Sequence, residues 1–127
     1  MSIKSIHTDN APAAIGPYSQ AVTDGHTVYV SGQIPINPAT GEFAGATIEE
    51  QAKQSLTNIS NILKAAGTDM SHVVKTTVLL KNIQDFTAMN EVYATFFTAP
   101  YPARSAFQAA DIPKGALVEI EAIAVLD

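Results

Sequence analysis

The chain has 127 residues, 46% of them hydrophobic and 15% charged, with no cysteine and a formal net charge of −5. That length fits one domain, 1–127, and the composition fits a packed core rather than a disordered chain. The lack of cysteine excludes disulfides, thiolate nucleophiles and cysteine-ligated zinc. The single arginine and the scattered lysines lack the basic patch of a strong nucleic-acid binder.

His7, His26 and His72 form no i,i+4 pair, so no metal site is expected. No apolar run approaches the ~18 residues of a membrane span. Asp9 and Asn10 stand where a signal peptide would be apolar, so the cytoplasm is the expected location.

In chain order, residues 18–22 read as a short strand, Asp24-Gly25 as a hairpin turn, and residues 27–34 as a β-rich run. Asn37-Pro38 and Thr40-Gly41 mark a loop. Thr47-Ile48-Glu49-Glu50 has the form of a capping box, and Ile48, Ala52, Leu56, Ile59, Leu63 and Ala66 draw one apolar helical stripe that Gly67 closes. Residues 73–81 are β-branched and predict a strand. A second helix is expected over 83–97, with Asn82 as N-cap and Pro100 and Pro102 beyond its end. Strands are expected over 104–109 and 117–125, on either side of a Pro113-Lys114-Gly115 turn.

The last strand has two unlike faces. Val118, Ile120, Ala122, Ala124 and Leu126 are all apolar and belong to a core. Glu119, Glu121, Ile123 and Val125 share the other face, which is too polar for a core and too apolar for water. Two helices can cover only one face of a five- or six-stranded sheet. The uncovered face therefore predicts a homo-oligomer assembled sheet to sheet.

Five blocks resemble, in order, those of the Rid family of imine deaminases. They are Asn10-Ala11-Pro12-Ala13-Ala14-Ile15-Gly16-Pro17-Tyr18; Ser31-Gly32-Gln33-Ile34-Pro35; Val74-Lys75-Thr76-Thr77; the stretch from Asp85-Phe86 to Asn90; and Pro102-Ala103-Arg104-Ser105-Ala106-Phe107 with Val118-Glu119-Ile120-Glu121. The resemblance implies an α+β, chorismate-mutase-like two-layer fold, a mixed sheet of five to six strands with two helices on one face. It implies a homotrimer with clefts between subunits, and no cofactor. It also implies hydrolysis of 2-iminopropanoate and 2-iminobutanoate, which pyridoxal-phosphate dehydratases release, to 2-oxo acids and ammonia. The family often has cysteine where this chain has Ala106, and the loop before Pro102 is shorter than in some relatives.

A 2-imino acid carries a carboxylate beside its C=N carbon, and only an arginine grips a carboxylate in a fixed plane. Arg104 is the sole candidate; the alternative is a structural ion pair with Glu119 or Glu121 on a neighbouring strand. Glu119, fifteen residues on, matches the family's catalytic glutamate and could orient or deprotonate water. Glu121 reads better as a solvated strand carboxylate. Tyr18, Ser31, Gly32, Asn90 and Ala106 match substrate-binding positions. Each has a plainer reading: Tyr18 packed at a sheet edge, Gly32 at a bulge, Asn90 as a brace. Phe86 could line the pocket, though core packing suits it better. The expected site straddles two subunits, with Arg104 and Glu119 from one and Tyr18 from its neighbour. The competing functions are an endoribonuclease or translation inhibitor, a non-catalytic small-acid sensor, and a holdase.

Overall fold

The computed structural model describes residues 2–127. Its main sheet contains β1 (Lys4–Ile6), β2 (Ala21–Thr23), β3 (Thr27–Gln33), β6 (Val73–Leu80), β7 (Ala103–Gln108) and β8 (Val118–Val125). A small separate hairpin is formed by β4 (Ile36–Asn37) and β5 (Glu42–Phe43), and the helices are α1 (Ile48–Ala66) and α2 (Phe86–Ala94). The strand order is β1-β2-β3-β8-β6-β7. All neighbours are antiparallel except β6 and β7, which run parallel and are joined through α2, as a parallel pair requires a crossover. This is the expected α+β arrangement, with six strands and both helices on one face.

Local chemistry fixes α1. Thr47 accepts from the Glu50 N–H while the Glu50 carboxylate takes the Thr47 N–H, and Gly67 (φ 91°) returns its N–H to Leu63 and Lys64 carbonyls. The stripe Ala52, Leu56, Ile59 and Leu63 is fully buried against Val28, Val78, Val118 and Ile120 of the sheet. Leu56, Ile59 and Leu63 each contribute about 1.5–3 kcal/mol on burial.

The second helix departs from expectation. Residues 83–85 form a 3-10 turn capped by Asn82, and α2 ends at Ala94, well before Pro100. The Thr95 hydroxyl donates to the Val92 carbonyl at 2.6 Å, a side-chain bond that competes with helix propagation. Strand β1 and the β4–β5 hairpin are further additions to the expected elements, each strand only two or three residues long and too short to show a period.

Two buried carboxamides tie loops to this frame. Gln20 Oε1 accepts from the Thr8 N–H at 2.8 Å, and its Nε2 donates to the Thr8 and Pro12 carbonyls at 3.0 and 2.8 Å. Asn58 donates to the Ile36 carbonyl at 3.0 Å and so holds the β4–β5 hairpin to α1.

The far face of the sheet is uncovered. Tyr29 pairs with Ile123 in register there, and both Tyr29 and Phe107 are nearly half exposed. Ile123 and Val125 lie on this face partly bare, as their alternation predicts.

Candidate active site

The expected site residues fall into two groups. The first lies at the β7 edge. Arg104 is paired in register with Thr76 of β6, and Thr76 is buried with its hydroxyl bonded to the Tyr93 hydroxyl at 2.7 Å. Neighbours in register share a face, so Arg104 leaves the sheet on the helix side. There its guanidinium donates to Asn90 Oδ1 at 2.6 Å. It stands 4.8 Å from the Tyr93 ring centroid and 5.3 Å from that of Phe86. Asn90, Tyr93, Tyr101, Pro102 and Arg104 line an open hollow of about 470 Å³. Ala106 is on the same side, opposite Val78, and packs partly against the core.

The structural ion pair considered for Arg104 is absent. Among the described residues the ion pairs are His7–Asp9 and His72–Asp69. Arg104 is half-buried between aromatic rings with a neutral carboxamide as its polar partner. A cation so placed keeps free donors for an anion.

The second group lies on the uncovered face. Glu119 is opposite Leu79 and its carboxylate rests against Gly32. A Cβ at Gly32 would stand 2.9 Å from Glu119 Cδ and 3.1 Å from Cγ, with Oε2 closer still. The glycine therefore makes room for the carboxylate, at a bulge between Val30 and Gln33. The bulge reading of Gly32 holds. Burial pushes the Glu119 carboxyl above its ordinary range, and the neighbouring Glu121 charge adds to this. Ser31 donates its hydroxyl to the Ser19 carbonyl at 2.6 Å. Tyr18 is exposed, its hydroxyl accepting from the Ile15 N–H at 3.3 Å. Tyr18 and Gly32 border a cavity of about 650 Å³.

Arg104 and Glu119 are thus kept apart within one chain. Phe107, three residues beyond Arg104, is the residue in line with Leu79 and Glu119. Two strand spacings across and three residues along put the two Cα atoms about 14 Å apart, and the side chains leave opposite faces. The expectation that one chain supplies both to a single site is overturned. Glu119 instead lies against Gly32, which follows Ser31 in β3 and borders one cavity with Tyr18. Tyr93, within the expected second helix, is not among the expected site residues; its hydroxyl, bonded to Thr76 at 2.7 Å, brings its ring under Arg104.

Comparison with known proteins shows the family. The family described as Endoribonuclease L-PSP matches residues 8–126. A 2-iminobutanoate/2-iminopropanoate deaminase of Capra hircus is 58% identical over 94% of this chain and 88% of its own length. The structure of RidA from the Antarctic bacterium Psychrobacter sp. PAMC 21119 has a TM-score of 0.92 at 48% identity, covering 96% of this chain and 98% of that one. That of E. coli TdcF with bound serine has a TM-score of 0.91 at 46% identity, covering 96% and 98%.

Proposed function

The chain belongs to the Endoribonuclease L-PSP family, the family of the Rid imine deaminases, and on that premise we propose that it hydrolyses 2-iminopropanoate and 2-iminobutanoate to 2-oxo acids and ammonia. The observation that carries the reading is Arg104, a half-buried guanidinium with no carboxylate partner among the described residues. The deaminases of Capra hircus and Homo sapiens, at 58% and 52% identity, support the same chemistry.

Arg104 binds the substrate carboxylate through two parallel hydrogen bonds, on a plane set by Tyr93 and Phe86. Asn90 holds the guanidinium, and Ala106 borders the substrate's small side chain. Glu119 orients water toward the imine carbon. As the oxygen adds, the C=N electron pair moves to nitrogen and Glu119 takes the water's proton. It returns that proton to nitrogen, giving the carbinolamine; Glu119 then takes the new hydroxyl's proton and passes it to the amino nitrogen, so that the C–N bond breaks and ammonia leaves as the carbonyl forms. A carboxyl with a raised pKa suits both halves of that transfer. Ser31 and Gly32 offer polar contacts at the same end, and Tyr18 closes it.

Because Arg104 and Glu119 leave opposite faces of the sheet, the complete site takes Arg104, Asn90 and Ala106 from one protomer. Glu119, Gly32, Ser31 and Tyr18 come from the next. A homotrimer closed through the uncovered face around Ile123 and Val125 provides three such sites. The scattered cations and surface-exposed His7 and His26 give little support to an endoribonuclease, and a passive acid sensor has no use for Glu119.

The test is steady-state release of 2-oxobutanoate and ammonia from 2-iminobutanoate made in situ by a threonine dehydratase. Acceleration over spontaneous hydrolysis, lost in Glu119→Gln, is expected. A rate equal to the protein-free control would sink the proposal.

A further inference from the structure

The cavity bordered by Gly32 and Tyr18 is larger than the proposed substrates need. About 650 Å³ is within the range of about 300–1,000 Å³ that usually accommodates drug-sized ligands, whereas 2-iminobutanoate has seven heavy atoms. Much of the wall is apolar, with Pro12, Ile15, Ile34 and Pro113 contributing, and its one cationic side chain is Lys114.

Lys114 is held there in an unusual way. Its φ of 60° and ψ of 16° are left-handed, and it is the one non-glycine residue with positive φ among those described. A side chain with a Cβ is disfavoured in that region, and such outliers gather at binding sites. The turn around it is fixed. Gly115 N–H donates to the Ile112 carbonyl at 3.1 Å and Ala116 N–H to that of Pro113 at 3.2 Å. Leu117 N–H donates at 2.8 Å to Oε1 of Gln51, a buried residue of α1. The Lys114 ammonium has no ion-pair partner among the described residues. Asp9 lies on the same cavity, where its carboxylate meets the His7 ring at 3.1 Å and works against an incoming anion.

We propose that Lys114 is a second carboxylate-binding point and that the substrate range therefore includes 2-imino dicarboxylic acids, the imines of four- and five-carbon acidic amino acids. This rests on the deaminase reading above. Arg104 takes the carboxylate beside the imine, and Lys114 takes the one at the far end of the side chain. Water adds and ammonia leaves as for the smaller imines, giving a 2-oxo diacid. The apolar lining around Lys114 accommodates the methylene groups, and the ammonium offsets the second negative charge that an acidic protein repels.

The experiment compares kcat/KM for 2-iminoglutarate and 2-iminobutanoate, generated by oxidases acting on glutamate and on 2-aminobutanoate with catalase present. Ammonia release is read above the spontaneous rate. Lys114→Gln should lower the diacid-to-monoacid ratio about five-fold, as loss of one solvent-facing charge pair implies. Lys114→Arg should restore it, Asp9→Asn should raise it, and 0.5 M salt should compress the wild-type ratio. An unchanged ratio in Lys114→Gln overturns the inference, as does a wild type that hydrolyses 2-iminobutanoate but not 2-iminoglutarate. Failure on both imines would overturn the deaminase reading itself.

Discussion

The Arg104 guanidinium stands 4.8 Å from the centre of the Tyr93 ring, and the hydroxyl of that ring is anchored at 2.7 Å to Thr76, the residue beside Arg104 on the next strand. The aromatic shelf and the cation it carries are therefore positioned by the same pair of strands. A planar cation over a π face gains electrostatic attraction and a defined tilt.

Arg104→Lys keeps the charge but loses the fork and the flat stacking surface. Its kcat/KM for 2-iminobutanoate should fall about 100-fold. Tyr93→Phe keeps the ring and unties it from Thr76, leaving a buried hydroxyl unpaired at a cost of about 1–3 kcal/mol. A several-fold rise in KM with a smaller change in kcat is expected, and Thr76→Val in the same background should recover part of the lost stability. Full activity in Arg104→Lys would remove Arg104 from the carboxylate site.

Glu119 must be deprotonated to accept a proton from water, so activity should fall as pH drops through its raised pKa. That acid limb lies at higher pH than an ordinary glutamate would give. Burial is the main cause and Glu121 the second. Glu121→Gln should accordingly move the limb toward lower pH, while Glu119→Gln lowers kcat itself. An equal loss of kcat in the two variants would show that the catalytic carboxylate is misassigned.

The same shift has a stability consequence. A carboxyl whose folded pKa is raised binds its proton more tightly when folded, so its ionised form weakens the fold at neutral pH. Glu119→Gln should raise Tm at pH 7. The gain should shrink as pH falls through the Glu119 pKa, which paired thermal scans can follow.

At Gly32 an added methyl would displace the end of a flexible side chain, not backbone. Gly32→Ala should therefore leave Tm within a few degrees of wild type while lowering kcat about ten-fold or more, by turning Glu119 away. A large drop in Tm with kcat preserved in the folded fraction would make Gly32 a packing residue.

Arg104→Ala and Glu119→Gln, each inactive alone, should complement when unfolded and refolded together. A site is intact only where the Arg104 donor and the Glu119 donor are each unmutated there, so about a quarter of sites should recover. Val125→Lys, which would bury an unpaired ammonium in the interface, should dissociate the assembly. No recovery on mixing would place both residues in one chain's site.

Much of this protein is legible without coordinates because the determinants are local. Thr47, Glu50 and Gly67 declare both ends of α1 within its own residues, and the alternation of Val118 to Val125 assigns each side chain to a face before any neighbour is known. The order of the blocks carries the family and the candidate residues. The end of α2 falls short of residue 97, at Ala94, where the Thr95 hydroxyl donates to the Val92 carbonyl, a single side-chain bond that the sequence does not announce. Tertiary structure alone decided which candidates meet. The face of Arg104 depends on β7 lying parallel beside β6, and the face of Glu119 on β8 inserting between β3 and β6. Those pairings join segments tens of residues apart, and one register step would have turned either side chain to the other face. The family resemblance names both Arg104 and Glu119 but does not say which face of the sheet each leaves. The sheet set them back to back.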